Sequence, residues 1–349
     1  MKVVVNTKEL KKKLKIVRQF TSLYGTHTKC IRFCMSPIES FLEAFDWEKY
    51  IRINMGVSSL DEKIDFLAEA QLIYSMIDMM TGDEITIIKE NFQITLKSNK
   101  KSCKVLSMDE HMLSLWTDTF KTFNIDSSVF AQWVRDVLFA IPSNNSLVSL
   151  TGVSININNW LEFFGSNWFK LALSKSSGVE NYEWHMIMPK TSCASLLMTL
   201  EEIGGDISVW LNDTRIVIKW EWYTLVYLAI QSPKVWYEPY FALPIDKVAI
   251  YNATDIENII SMSNTLHPTF NTIYINGWEF KANNDISDIE DSLDFEWDFI
   301  SIKIDYIYLI WLCKFIWEEK IKIGLNSEKN LLIIKNTEWD KTYCMVQQQ

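Results

Sequence analysis

A strand, a polar cap and an amphipathic helix recur three times along this chain of 349 residues, at intervals of roughly 115 to 125 residues. A repeat of that length constrains the fold strongly, because each copy has to bury its apolar faces in the same way. In the first copy the β-like run Lys2–Val5 precedes Asn6–Thr7, and a helix follows with Leu10, Leu14 and Val17 on one face. In the second, Phe123–Ile125 precedes Asp126–Ser127–Ser128, and the helix gathers Phe130, Val134, Leu138 and Ile141, with Trp133 and Val137 alongside. In the third, Val248–Tyr251 precedes Asn252–Ala253–Thr254, and Ile256, Ile259 and Ile260 follow. A cap oxygen satisfies N–H groups that the first helical turn leaves unpaired, so cap followed by apolar residues four apart marks a helix start. Pro142 and Pro268 stand just beyond the second and third helices, where they stop them.

Each copy also holds a second helix and then a hairpin. The predicted helices are Leu67–Met80, Ser192–Ile203 and Tyr306–Trp317. The predicted hairpins are Glu84–Lys89 with Phe92–Lys97, Asp206–Leu211 with Arg215–Trp220, and Lys320–Leu325 with Asn330–Lys335. Alternation such as Ile207, Val209, Leu211 is the period of half-buried strands, and Asn, Asp and Gly supply the turns. Further strands lie between the two helices; in the second copy they are Leu147–Ile157, Trp160–Phe164 and Phe169–Ser174. The unit is therefore a duplicated βαβββ arrangement of the α+β class. The copies divide the chain at 1–121, 122–246 and 247–349.

Hydrophobic residues make up 48% of the chain, with 15 Trp and 19 Phe, and charged residues 22%, so real cores are possible and disorder is not expected. No apolar stretch approaches the roughly 20 residues of a membrane span; Ile307–Ile316 is interrupted by Lys314. Met1–Val5 runs into lysines without the order of a signal peptide, and a cytoplasmic protein with no membrane partner is expected. The six cysteines contain no C-x-x-C pair, consistent with reduced thiols rather than a zinc site. No cofactor or metal is expected. The acidic run Asp285, Asp288, Glu290, Asp291 and Asp294 lacks the glycine and terminal glutamate of a calcium loop. Phosphate-loop, dinucleotide, zinc-protease and serine-nucleophile motifs are absent and the four histidines are scattered, so an enzyme is not expected.

Net charge is −10, which argues against a nucleic-acid partner until its distribution is followed: the three copies carry +2, −5 and −7. The positive charge concentrates on the first helix, where Lys8, Lys11, Lys12, Lys13, Lys15 and Arg18 stand against Glu9 alone. A bare lysine run also suits a solvated helix face.

Several segments resemble the bacterial DNA polymerase III β subunit, the sliding clamp, and the resemblance spans essentially the whole chain. Leu150–Asn156 resembles the family's strand ending in Asn-Gly. Trp160–Leu173 resembles its Leu-x-x-x-x-Thr-Asp-Gly-x-Arg-Leu-Ala pattern. Ile187–Lys190 is similar to the Val-x-Val-Pro-Arg/Lys before its second helix, Tyr240–Pro244 to its Phe-Pro-x-Tyr-x-x-Leu-Pro, and Tyr343–Val346 to its last strand. The departures are Asn167–Trp168 for Asp-Gly, Lys170 for Arg, Phe241 where a second Arg often sits, and Gln347–Gln349 in place of the usual tail.

The resemblance implies the DNA clamp fold: two chains closed head to tail as a homodimeric ring, helices lining the hole and sheets outside. It implies a processivity factor that encircles double-stranded DNA without reading sequence and tethers a polymerase and clamp loader through a short peptide motif. Diffuse attraction to phosphates suits such a task, since base contacts would pin the ring. The DNA-facing candidates are Lys8, Lys11, Lys12, Lys13, Lys15 and Arg18, with Arg135 and Lys190 from the second copy. Positions matching the family's peptide cleft are Leu150, Ser166, Lys170, Leu171, Ala242, Tyr306, Cys344 and Met345; by periodicity alone Leu150, Leu171 and Ala242 are ordinary core. The acidity of the second and third copies keeps a rival open, a clamp-fold scaffold or decoy that binds clamp-binding peptides without encircling DNA.

Overall fold

The computed structural model describes residues 1–56, 63–108, 121–142, 147–158, 160–167, 169–176, 183–264, 272–277, 279–283, 288–292, 295–298, 300–305, 320–329, 331–335 and 341–346. From the N-terminus, β1 (Lys2–Asn6) leads into α1 (Thr7–Val17), then β2 (Cys30–Met35), β3 (Ser40–Phe45), β4 (Lys49–Asn54) and β5 (Ile64–Glu69). Next come α2 (Ala70–Asp78), β6 (Glu84–Glu90), β7 (Gln93–Ser98) and β8 (Lys101–Leu106). The same order returns as β9 (Lys121–Asp126), α3 (Ser127–Leu138), β10 (Gly152–Ile157), β11 (Leu161–Ser166), β12 (Lys170–Ser176) and β13 (Trp184–Pro189). It continues with α4 (Lys190–Ile203), β14 (Asp206–Asn212), β15 (Arg215–Trp220), β16 (Tyr223–Leu228) and the one-turn α5 (Glu238–Phe241). The last part has β17 (Lys247–Asn252), α6 (Ala253–Asn264), β18 (Thr272–Asn276), β19 (Glu279–Asn283), β20 (Asp288–Ser292), β21 (Phe295–Trp297), β22 (Ser301–Asp305), β23 (Lys320–Asn326), β24 (Leu331–Lys335) and β25 (Lys341–Val346).

The sheets exchange strands between half-units. One sheet runs β1-β6-β7-β8, so the leading strand of the first half completes the sheet of the second. The reverse holds for β5, which joins β2-β3-β4. Two such four-stranded groups then fuse through their last strands. Antiparallel pairing of β4 with β16 (Ile53↔Tyr223) gives the eight-stranded order β5-β2-β3-β4-β16-β15-β14-β9. Pairing of β12 with β25 (Leu171↔Cys344) gives β13-β10-β11-β12-β25-β24-β23-β17-β21. The fourth sheet is β20-β19-β18-β22. Two compact units result, Met1–Ala131 with Thr191–Ala229 and Gln132–Lys190 with Ile230–Gln349.

In the first unit Leu10, Leu14 and Val17 of α1 and Ile73 and Ile77 of α2 are fully buried, as are Ile85, Ile87, Ile94 and Leu96 of the sheet beside β1. In the second, Val134 and Val137 of α3 are buried, with Ile155, Phe163, Ala172, Ile323 and Ile334 from the nine-stranded sheet. Each such Leu, Ile, Val or Phe contributes about 1.5–3 kcal/mol of transfer free energy. The backbone of α3 comes so close to β11 that a Cβ on Gly165 would lie 2.3 Å from the Val137 carbonyl oxygen. Elsewhere Arg32, on the side of β2 opposite Ile31 and Phe33, clamps Asp65 with Nε at 2.8 Å and Nη2 at 2.7 Å, and Glu43 with Nη1 at 2.8 Å. Tyr50 donates to the same Glu43 at 2.6 Å.

Four sequence expectations shift. The helix expected from Leu67 starts at Ala70, because Leu67–Glu69 complete β5 by pairing with Cys30–Arg32 of β2. The strand expected from Leu147 starts at Gly152, after a short 3-10 turn over Val148–Leu150. Along α3 and the turn that follows it the buried row is Phe130, Val134, Val137 and Ile141, with Leu138 only half-buried, since a 3.6-residue turn carries position 138 off the face. The short α5 had no counterpart in the predicted elements. The predicted helix Tyr306–Trp317 and Pro268 lie outside the described residues.

Candidate functional site

Asn6 accepts the Glu9 N–H at 2.9 Å and so starts α1. The lysines of this helix then divide into two groups. Lys11 Nζ donates to the carbonyls of Asp78 (2.6 Å) and Met80 (2.9 Å), neutralising the C-terminal end of α2. Lys13 donates to Glu9 at 2.5 Å and to the Asn54 carbonyl at 2.9 Å. Both ammonium groups are thus committed to holding the fold. Lys12 and Lys15 have side chains 56% exposed and share one carboxylate, Glu202 of α4, at 3.7 and 3.3 Å. Lys8 is exposed one turn earlier. Arg18 lies over the Tyr74 ring, 4.1 Å from its centroid, a cation–π contact that fixes its direction. Lys8, Lys11, Lys12 and Lys15 line, with Glu9, Tyr74 and Glu202, an open recess of about 550 Å³. The six cations expected to act together therefore reduce to three exposed amines, Lys8, Lys12 and Lys15, with Glu9 and Glu202 among them. Arg135 is half-buried on α3, and Lys190 donates to the Ile141 carbonyl at 2.7 Å.

In the second unit, most of the cleft candidates converge on one part of the nine-stranded sheet. Across β11 and β12 Ser166 pairs with Leu171; across β12 and β25 Lys170 pairs with Met345 and Leu171 with Cys344. Cys344 pairs in turn with Ile333 of β24. Partners directly opposite in a sheet share a face, and the backbone of residue 344 links Leu171 and Ile333 in register, both of which pack in the same apolar cluster. Leu171 is half-buried between two apolar clusters, one of Phe164, Leu173 and Tyr237, the other of Leu331 and Ile333. Ser166 is buried and donates to the Asn167 carbonyl at 2.9 Å. Lys170 Nζ stands 5.3 Å from the Phe139 ring. Leu150 is buried just before β10, and Ala242 is exposed at the end of α5. Tyr306 lies outside the described residues.

The strip from Val235 to Ile245 crosses this face. Tyr237 is its anchor: its ring stacks on Phe164 at 4.3 Å, and its hydroxyl donates to Glu162 and accepts from Asn156 at 3.1 Å. Burial, and then the bond to Glu162, push its phenol above the ordinary range. Asn156 also meets His185 Nδ1 at 2.7 Å, and burial holds that imidazole below its ordinary value. Among the described residues no group of three His, Cys, Asp or Glu side chains is placed to hold a metal, and no helix is long and apolar enough to cross a membrane. Burial raises the thiols of Cys30 and Cys34 to about 11, so neither is a reactive nucleophile.

Solved structures share this architecture along the whole chain. A putative DNA polymerase III β subunit from Eubacterium rectale aligns with a TM-score of 0.90 at 16% identity, covering 100% of both chains. A DNA polymerase sliding clamp from Pseudomonas aeruginosa aligns at 0.91 and 15%, again over 100% of both. The chain has the sliding-clamp fold. A DNA polymerase III β subunit from Thermotoga maritima extends the likeness, at 0.87 and 16% over 100% of this chain and 99% of that one. No protein-family model matches the sequence, and no curated protein matches it.

Within the clamp fold, three features escaped sequence reasoning. Glu202 stands 187 residues from Lys15, and only the packing of α4 brings the two together. The anchor role of Tyr237 had no signal beyond an aromatic residue in a linker. Phe241 stood out as a departure from the family pattern, but its packing against the same two apolar clusters as Leu171 was not legible.

Proposed function

We propose that this chain is a DNA sliding clamp, a non-catalytic processivity factor closing with a second copy into a ring around duplex DNA. The observation that carries the reading is the strand exchange described above. Last strands fuse in pairs, β4 with β16 and β12 with β25, and among the described residues β8 and β20 stand at ends of the two four-stranded sheets. Pairing β8 of one chain with β20 of another repeats the same junction and, made twice, closes a head-to-tail dimer. The sequences suit each other: β8 carries Lys101 and Lys104, β20 carries Asp288, Glu290 and Asp291. An unpaired edge invites such addition. On this reading residues 1–121, 122–246 and 247–349 are the three domains of each chain.

The DNA contact assigned to this ring is Lys8, Lys12 and Lys15, with Arg18 held on Tyr74, while Arg135 and Lys190 contribute less. The face carrying Leu171 and Ile333, with Ser166, Lys170 and Ala242 nearby and Cys344 and Met345 on the paired strand β25, is assigned to a short extended peptide from a polymerase or clamp loader. Two experiments test the whole. Native mass spectrometry is expected to show a dimer that Lys101→Glu with Lys104→Glu splits into monomers. A clamp loader is expected to place the dimer on nicked circular DNA, from which linearisation releases it. A stable monomer, or loss from circular DNA as fast as from linear, overturns the proposal.

A further inference from the structure

Among the described residues, Phe241 and Leu171 both pack against the two apolar clusters on this part of the nine-stranded sheet, the one around Phe164, Leu173 and Tyr237 and the one around Leu331 and Ile333. Phe241 therefore shares with Leu171 the apolar ground between the two clusters, where an inserted side chain would also have to pack. Its neighbour in the strip is held far more firmly. Tyr237 is 1% exposed, stacked on Phe164 and hydrogen-bonded to Glu162 and Asn156, and Glu162 is itself paired with Lys175 at 2.7 Å. Phe241 is only half-buried and has a ring, with no polar group to tie it. It meets Tyr237 edge-on at 6.0 Å and sits on a single helical turn, closed by the Ala242 N–H to the Glu238 carbonyl at 3.1 Å and by the exposed Lys234–Glu238 pair at 2.7 Å. A fixed anchor beside a loosely held ring lets the ring swing out while the strip stays in place.

We propose that Phe241 is a specificity-determining residue of the cleft, an intramolecular occupant that a partner peptide must displace. The inference rests on the peptide-cleft reading. It selects the chemistry of the partner: an extended segment with a large aliphatic or aromatic side chain can replace the phenyl ring between the two clusters, whereas a segment of small side chains cannot offset its displacement.

The test uses the full-length protein and two fluorescein-labelled hexapeptides, one ending in Leu-Phe and its twin ending in Ala-Ala, titrated by fluorescence anisotropy. Phe241→Ala is expected to tighten the Leu-Phe peptide about tenfold, or about 1.4 kcal/mol, and to leave the Ala-Ala peptide unchanged. Phe241→Leu, which keeps an apolar side chain on the strip, is expected to give a smaller gain in the same direction. Leu171→Asp separates the two layers of the reading. If Leu171→Asp abolishes binding while Phe241→Ala leaves the Leu-Phe affinity unchanged or weaker, Phe241 is a wall of the site and the inference fails alone. If Leu171→Asp has no effect, or neither peptide binds any variant, the cleft reading fails and takes the inference with it.

Discussion

Glu202 offers the sharpest perturbation of the proposed DNA face. Its two carboxylate oxygens stand 3.3 Å from Lys15 and 3.7 Å from Lys12, so the triad carries a net +1 where two free lysines would carry +2. The lysines are 56% exposed, and solvent-screened pairs of this kind are worth roughly 0.2–1 kcal/mol to stability. Glu202→Gln is therefore expected to change the melting temperature little. Its effect on a polyanion is larger, because one repelling charge goes and two amines are released to phosphates. Each additional phosphate neutralised steepens the plot of log affinity against log salt by about 0.9. One to two such contacts steepen it by about 0.9 to 1.8, so the affinity lost between 50 and 200 mM salt grows about 3.5-fold to 12-fold. The assay is anisotropy of a labelled duplex over a salt series, paired with residence time on nicked circular DNA. Adding Lys12→Ala and Lys15→Ala to the Glu202→Gln protein should cancel the gain. An unchanged slope in Glu202→Gln would refute the view that this carboxylate restrains the two lysines, and an unchanged slope after removing both lysines would show that α1 does not face DNA.

Three further outcomes concern the scaffold. Gly165→Ala would place a Cβ against the Val137 carbonyl oxygen and is expected to cost about 1–3 kcal/mol in urea unfolding; a neutral result would mean that α3 is free to shift away from β11. Arg32→Ala leaves Asp65 with Lys63 as its ionic partner (2.8 Å) and Glu43 with the Tyr50 hydroxyl, on side chains 6% and 7% exposed, at an expected cost of about 2–4 kcal/mol from the charge left uncompensated on Glu43 and halved on Asp65. Arg32→Met, paired with Asp65→Leu and Glu43→Leu, should recover much of that loss, and failure to do so would locate the penalty in packing rather than in uncompensated charge. His185 is held below its ordinary value of 6.5 by burial, with Lys234 opposing its charge further. The unfolded chain then binds the proton more readily than the native state, so stability is complete above pH 6.5 and falls as pH drops toward the lowered native value. His185→Gln should flatten that part of the pH profile, measured by thermal melts; an equally steep profile would assign the acid sensitivity to another group.

Local chemistry determined much of this protein. The polar caps at Asn6 and Asp126 and the apolar faces of the helices that follow act within a few residues, and so do the alternating strands at Ile85–Ile87 and Ile207–Leu211. Periodicity and capping report such short-range physics directly, which is why the duplicated βαβββ unit and its hairpins could be placed before any coordinates. Where two local preferences competed, the pattern failed: Leu67–Glu69 suit a helix as well as a strand, and pairing with β2 decided for the strand.

What only tertiary structure decided are relations across long separations. Which strand completes which sheet depends on hydrogen bonds between residues such as Ile53 and Tyr223, or Leu171 and Cys344, that no window of sequence contains. The basic helix shows the same limit. Six cations against one glutamate describe its composition, but the ammonium groups of Lys11 and Lys13 turn to backbone carbonyls and Glu202 arrives from α4, leaving Lys8, Lys12 and Lys15 as the exposed lysines of the recess. Charge is written in the chain; which charges remain free is settled by the carbonyls and carboxylates that folding brings within reach.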